Sequence, residues 1–204
     1  MNEQYKVQVQ NLVDDLKAVF THAGLGGEAG EYKLLTQSFL YKFLNDKFLY
    51  EAQNVDSENT YEHLVSMSEE DYDWLLEDIG TSTAWMKPNQ FIETLHRKQN
   101  ESDFYETFEN TLNQIAIDNN DIFSVHTDEN TTVRLFNERL ITDIIPDSSK
   151  RNEVAKSIIN LLARVKFDEA IFSQGFDFFS TLFEYMIKDY NKDGGGKYAE
   201  YYTP

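Results

Sequence analysis

The densest group of chemically capable side chains is an acidic cluster between residues 69 and 78. Its members are Glu69, Glu70, Asp71, Asp73, Glu77 and Asp78. Paired carboxylates can act as general acid and base, or bind a hard cation. Ser68 precedes the cluster as a predicted helix N-cap, and acidic residues in a first helical turn complement the helix dipole. We therefore favour a solvated helix face over a paired-carboxylate site.

Two glycine-rich stretches have the composition of phosphate-binding loops. Residues 194–197 (GGGK) lack the upstream glycine of a P-loop, and Tyr198 follows where a Ser or Thr would bind magnesium. Residues 24–30 follow a predicted helix, whereas a dinucleotide fingerprint follows a strand. We interpret residues 24–30 as a helix-terminating loop and residues 191–197 as a connector.

No pattern of metal ligands is visible. The four histidines are scattered without an i, i+4 pair: His22, His63, His96 and His126. Residues 118–121 (DNND) lack the glycine and the final acid of a calcium loop. Cysteine is absent, which excludes disulfides and thiolate metal sites. We predict no metal site, and no catalytic residue within residues 1–190.

Composition and charge restrict the possible functions. Hydrophobic residues make up 41% of the 204 residues and aromatic residues 14%, enough for a real core. The net charge of −18 repels phosphate backbones, so we expect poor direct binding to DNA. There is no secretory signal and no apolar run of about 18 residues, the minimum for a membrane span. We expect a soluble, cytoplasmic protein without membrane contact.

Apolar residues recur at every third or fourth position, which predicts helices. The predicted helices cover residues 3–23, 31–52, 135–140, 150–165 and 176–190, with others beginning at Ser68, Pro88 and Ser102. Residues 54–60 and 118–132 are predicted connections, and residues 123–125 could pair briefly as a strand. The expected fold class is all-α, an irregular multi-helix bundle with at most a minor β element.

Three of these helices carry more specific predictions. The helix over 31–52 has an apolar face too broad for a surface helix, so we expect it at the centre of the bundle. Ser102 is the predicted N-cap of its helix. In the helix after Ser68, the predicted apolar contacts come from Trp74, Leu75 and Ile79.

Two segments resemble a known family. Residues 31–48 (EYKLLTQSFLYKFLNDKF) form a predicted buried helix with a charged edge. They resemble the "YK…FLKYLSDKF" helix of the N-terminal domain of modification subunits in type I DNA restriction-modification systems. Residues 178–187 (FFSTLFEYMI) resemble the same family's "G-x-x-YEYLL" helix. After a Gly/Lys-rich spacer, residues 199–204 (AEYYTP) are similar to its "GEFYTP" or "GQYFTP" motif.

The resemblance implies a cofactor site only in a longer protein. In that family the Thr-Pro stretch opens the methyltransferase domain and helps to hold S-adenosylmethionine. The implied cofactor contacts are Glu200, Tyr201, Tyr202, Thr203 and Pro204. The family usually has glycine where this chain has Ala199. We expect a helical N-terminal domain over residues 1–190, followed at 191–204 by a connector and the start of the methyltransferase domain.

The catalytic motifs of adenine-N6 methyltransferases do not occur in this sequence. The glycine-rich cofactor loop and the Asn-Pro-Pro-aromatic element that would bind a flipped adenine are both missing. We therefore expect this chain to be a fragment that neither methylates nor binds S-adenosylmethionine by itself. The implied partners of the parent are a specificity subunit, a second modification subunit, a restriction subunit and, through the assembled complex, DNA.

Two alternatives of other classes remain. The charge of −18 is compatible with an acidic DNA mimic that blocks restriction enzymes, although such a mimic should array carboxylates along one face, and here acids alternate with lysines in several helices. The second alternative is an unrelated helical module that binds other proteins.

Overall fold

The computed structural model describes residues 3–120 and 135–173, with side chains from residue 7 onward. Its elements, in chain order, are α1 (Glu3–His22), α2 (Ala29–Val55), α3 (Tyr61–Ser66), α4 (Glu69–Ile79), a 3-10 turn (Pro88–Gln90), α5 (Ile92–Lys98), α6 (Phe104–Asp118), α7 (Leu140–Ile144), α8 (Ser148–Arg164) and α9 (Glu169–Phe172). The described ranges contain no strand. The predicted all-α, multi-helix class is confirmed.

Two helices organise the packing. Helix α8 contacts α1, α5 and α6, and α2 contacts α1 and α4. Helix α2 buries side chains on more than one face, among them Leu34, Tyr41, Leu44 and Phe48. A helix that is apolar nearly all round belongs inside a bundle, since no face of it is left to solvate. The broad face predicted from the sequence therefore agrees with the position of α2, although α8 shares the central place.

Short polar side chains begin several of the helices. The hydroxyl of Ser68 accepts a hydrogen bond from the amide of Asp71, so the predicted N-cap of α4 is confirmed. Thr60 caps α3 in the same way, and Asp147 and Asp168 cap α8 and α9. Each cap satisfies an amide that the first helical turn leaves without a partner.

The prediction for Ser102 was wrong. The N-cap of α6 is Asp103, which has a left-handed backbone (φ 55°) and makes no side-chain capping bond. The chain turns sharply at Asp103, so the residue before it is one position too early to reach the amides of the first turn.

The helix predicted over residues 135–140 instead occupies Leu140–Ile144. Just before this helix, a side-chain pairing joins two distant segments. Asn137 donates its backbone amide to Oε1 of Gln37 at 3.0 Å, and Gln37 Nε2 donates to Oδ1 of Asn137 at 2.6 Å. The pairing attaches the segment before the helix to α2. The short helices α3 and α9 were not predicted.

Trp74 is not part of the core, contrary to the prediction for α4. It is 63% exposed, whereas Leu75 and Ile79 are buried as expected. The third buried residue of α4 is Tyr72. Two residues along a helix correspond to a rotation of about 200°. Since Tyr72 faces the core, Trp74 must face outward.

The predicted helix over 176–190, the possible strand at 123–125 and the connector at 191–197 lie outside the described residues. Among the helices in the described ranges, none is long and apolar enough to cross a membrane.

Candidate functional site

A groove of about 790 Å³ lies beside α2. One wall is α2, which contributes Lys42, Asp46 and Tyr50. The opposite wall is the segment between α8 and α9, with Lys166 and Phe167. The start of α3 and the start of α5 close the remaining side. Concave surfaces with a few polar groups are where small ligands bind.

The floor of the groove contains a buried polar group that we call the Asp46 cluster: Lys42, Asn45 and Asp46. The ammonium of Lys42 lies 2.9 Å from Oδ2 and 3.0 Å from Oδ1 of Asp46, and both side chains are about 5% exposed. Asn45 Nδ2 donates to Asp46 Oδ1 at 2.8 Å. The backbone amide of Phe167 donates to Asp46 Oδ2 at 2.7 Å.

The cluster also holds the start of α5. Oδ1 of Asn45 accepts a hydrogen bond from the amide of Ile92 at 2.9 Å, within the first turn of that helix. One turn of α2 therefore supplies hydrogen bonds to two segments that are far apart in the sequence. Because each of these bonds is buried, each is expensive to leave unmade.

The electrostatics of the cluster favour a structural role. Burial lowers the pKa of Lys42, and the Asp46 carboxylate beside it opposes that shift. The ring of Phe167 lies 5.8 Å from the ammonium and provides a further weak cation–π contact. The Asp46 carboxylate accepts from three donors, namely Lys42, Asn45 and the Phe167 amide. A carboxylate so fully engaged is poorly placed to accept a substrate proton.

Sequence reasoning missed this cluster although its signal is present. The segment at 31–48 was predicted to be a buried helix with a charged edge, but Lys42 and Asp46 are inside the core. Their i, i+4 spacing, with Asn45 between them, places three polar groups on one side of the helix. Such a pattern within a broad apolar face indicates a buried, mutually satisfied pair.

A second set of buried hydrogen bonds fixes the loop between α4 and α5. Asn119 accepts from the amide of Trp85 at 2.6 Å and donates to the carbonyl of the same residue at 2.8 Å. Tyr72 donates to the carbonyl of Met86, and Tyr41 to that of Gln90, each at 2.6 Å. Burial raises the pKa of both phenols, so they remain protonated donors. The loop is therefore rigidly attached to the core.

The predicted cofactor contacts lie outside the described residues. They are Glu200, Tyr201, Tyr202, Thr203 and Pro204, together with the glycine-rich stretch before them. The acidic cluster of residues 69–78 forms the exposed side of α4, as a solvated helix face.

Residues 23–28 join α1 to α2, so the glycine-rich stretch at 24–30 does end a helix as predicted, while its last two residues, Ala29 and Gly30, already belong to α2. Gly24 and Gly27 have positive φ angles of 96° and 74°, which favour glycine. The amide of Gly27 donates to Oε2 of Glu31 at 2.8 Å, so α2 itself closes the loop.

The remaining candidate ligands do not converge within the described residues. His22 and His63 are exposed, and His96 is half-buried with its Nε2 3.1 Å from Oδ1 of Asn160. Asp118 forms an ion pair with Lys87 at 3.1 Å. In the described ranges no three His, Cys, Asp or Glu side chains are grouped as a metal site requires. His126 lies outside them.

Comparison with known proteins gives no assignment. No protein-family model matches this chain. No curated protein and no solved structure matches it either. The resemblance to type I modification subunits therefore rests on the sequence motifs at 31–48 and 178–204 alone.

Proposed function

We propose that this chain is the N-terminal helical domain of the modification subunit of a type I restriction-modification system. Its task there is architectural: it contacts partner subunits in the cytoplasm and helps the assembled complex to close around DNA. The parent enzyme would transfer a methyl group from S-adenosylmethionine to N6 of adenine. The observation that carries the proposal is the ordered run of the 178–187 helix motif, the glycine-rich spacer and the Tyr-Thr-Pro ending at 199–204.

The chemistry of the described residues supports a non-catalytic role. In the groove beside α2, Lys42 and Asp46 bond each other, and Asp46 also accepts from the amide of Phe167. The loop beside α5 is likewise held by buried side chains. A helical body held by such buried hydrogen bonds is suited to positioning other subunits.

The net charge of −18 supports indirect engagement of DNA. A phosphate backbone gains affinity by releasing counterions to Lys and Arg side chains, and this chain has twice as many acidic as basic residues. We therefore expect clamping to occur through the specificity subunit and the second modification subunit, with the restriction subunit joining the complete assembly.

Filter binding and reconstitution test the proposal together. The chain alone should show no sub-micromolar, salt-sensitive binding to duplex DNA, and calorimetry should detect no S-adenosylmethionine binding. When it is joined to a methyltransferase domain and mixed with a specificity subunit, it should enter a complex that retains DNA. Tight DNA binding by the chain alone, or failure of the fusion to enter that complex, would contradict the proposal.

An acidic DNA mimic is the second candidate, favoured by the net charge and by the carboxylates exposed along α4. Basic residues on α8 interrupt the negative surface that a mimic needs: Lys150, Arg151, Lys156 and Arg164. A mimic should compete with DNA for a modification or specificity subunit, whereas an architectural domain should bind the subunit and leave DNA in place. Competition binding therefore separates the two functions.

A further inference from the structure

Helix α4 has a large aromatic residue on its solvent side. Its inner side packs Tyr72, Leu75 and Ile79 into the core, and α4 contacts α2 there. Trp74 is on the other side and is 63% exposed. An indole contributes more apolar area than almost any other side chain, and aromatic residues are enriched at the centres of protein interfaces. Among the described residues, Trp74 belongs neither to the core nor to the side chains packed against it.

Carboxylates surround this tryptophan. Helix α4 has six acidic residues and no basic one. Four of them line a shallow depression together with Trp74: Glu69, Glu70, Asp73 and Glu77. Glu70 precedes Trp74 by four positions and Glu77 follows it by three, so both flank the indole on the same helix face. We call these five residues the α4 surface.

Basic side chains of the described residues do not neutralise the acids of the α4 surface. In the ranges that the structure describes, no Lys, Arg or His forms an ion pair with any of its four carboxylates. Nor does helix stability explain all of them. Glu69 and Glu70 are at the helix start, where negative charge is favourable, but Glu77 and Asp78 are in the last turn, where the helix dipole disfavours carboxylates.

We propose that the α4 surface is a docking site for a segment of a partner protein that carries several Lys or Arg residues. The carboxylates would pair with its cationic heads, and the indole of Trp74 would accept a cation over its face while the aliphatic stems cover the ring. Complementary charge of this kind fixes the register of docking and speeds association.

Charge complementarity also selects the occupant. A second copy of this chain brings another net charge of −18 and would be repelled. Duplex DNA and anionic lipid surfaces are repelled for the same reason. A basic protein segment is the remaining partner that gains both from the carboxylates and from the exposed ring. This inference does not depend on the restriction-modification assignment.

Fluorescence anisotropy with a short, labelled, helical peptide that has Arg at every third or fourth position tests the site. Trp74→Ala should weaken binding by about fivefold, because a cation–π contact of this kind is lost. The double variant Asp73→Asn with Glu77→Gln should weaken it by a similar factor, about fivefold, through the lost charge pairs.

A matched control separates a defined surface from general attraction to an acidic protein. The double variant Asp15→Asn with Glu153→Gln removes the same charges from exposed positions on α1 and α8. We expect it to change the affinity by less than about twofold, since distant exposed charges are screened. Circular dichroism melts should show all variants folded, because every altered side chain is exposed.

The proposal is overturned if the control weakens binding as much as the α4 variant, or if Trp74→Ala leaves the affinity unchanged. It is also overturned if sedimentation shows the unmodified chain self-associating through Trp74. Binding of a labelled DNA duplex that Trp74→Ala abolishes would overturn it as well, since the occupant would then be an anion.

Discussion

The carboxylate of Asp46 accepts a hydrogen bond from the backbone amide of Phe167 at 2.7 Å, across 121 positions of sequence. Its neighbour on α2, Asn45, accepts from the amide of Ile92 at 2.9 Å. Two adjacent residues in the middle of the longest described helix thus hold the start of α5 and the segment that leads into α9. This turn of α2 fixes both sides of the groove between these elements and thereby sets the width of the groove.

Replacing Asp46 with Asn should strongly destabilise the protein. The change leaves the ammonium of Lys42, only about 5% exposed, without its counter-charge. Removing one partner of a buried ion pair costs about 3 to 5 kcal/mol. Urea unfolding, followed by circular dichroism, measures the difference.

The exposed pair on the same helix is a suitable control. Lys47 and Glu51 also form an i, i+4 ion pair on α2, but their side chains are about 20% exposed. Glu51→Gln should cost less than about 1 kcal/mol, as is usual for a solvated pair. Equal losses in the two variants would show that the burial of the Asp46 cluster has no energetic consequence.

Asn119→Ala should loosen the loop between α4 and α5. The side chain bonds both the amide and the carbonyl of Trp85 and is 1% exposed. Its removal leaves these buried groups unpaired, at about 2 to 3 kcal/mol. Amide hydrogen exchange at Trp85 should accelerate as well. Asn110 is exposed on α6, the helix that ends just before Asn119. Asn110→Ala should change neither the stability nor the exchange rate at Trp85. Unchanged exchange at Trp85 in the Asn119 variant would refute the role given to this side chain.

Gly30→Ala should introduce a steric clash between α2 and α7. A Cβ at this position would lie 2.6 Å from Cγ2 of Ile144, a distance at which the Ile144 side chain or one of the two helices must shift. Overpacking of this kind costs about 1 to 3 kcal/mol. Thermal melts should show the loss, and adding Ile144→Ala should recover part of it because the obstructing methyl is gone. If the destabilisation caused by Ile144→Ala simply adds to that caused by Gly30→Ala, the result would argue against the close approach of the two residues.

The ion pair of Asp118 should make a pH-dependent contribution to stability. Burial raises the pKa of this carboxyl, but hydrogen bonds from Gln114, Gln90 and Lys87 outweigh it and leave the pKa below the ordinary value of 3.8. A carboxyl whose pKa is lower in the folded state stabilises the fold above its unfolded pKa, and this contribution disappears as the pH falls through the folded pKa.

Comparison with Asp118→Asn isolates that contribution. At neutral pH the variant should be less stable by about 1 kcal/mol, as expected for a partly exposed pair with charged hydrogen bonds. As the pH falls below 3.8 and through the lower pKa of the folded state, the two proteins should converge in their free energy of unfolding. Urea unfolding at both pH values tests this, and a difference that persists in acid would contradict it.

The sequence alone was sufficient for the fold class and for most helices. Leu12, Leu16 and Phe20 on α1, and Phe104, Phe108 and Leu112 on α6, recur at helical spacing, and all of them are buried. Periodicity of this kind depends only on neighbours within one helix, so it can be recognised without knowing the partners. The cap at Ser68 could be predicted for the same reason, since it bonds the next turn of the chain.

Tertiary structure decided the features that depend on distant partners. The helix predicted from residue 135 begins at Leu140, and the segment before it is attached to α2 by the bond from the Asn137 amide to Gln37, a contact that no local signal announces. Trp74 has the apolar character of a core residue. It is exposed because the other side of α4 faces α2, and only the folded chain decides which side that is. The pairing of Lys42 with Asp46 is a local i, i+4 pattern, yet its burial, and the bond from Asp46 to Phe167, required the folded chain. Local rules specify a helix and its faces, while the free energy of packing chooses which face meets which partner.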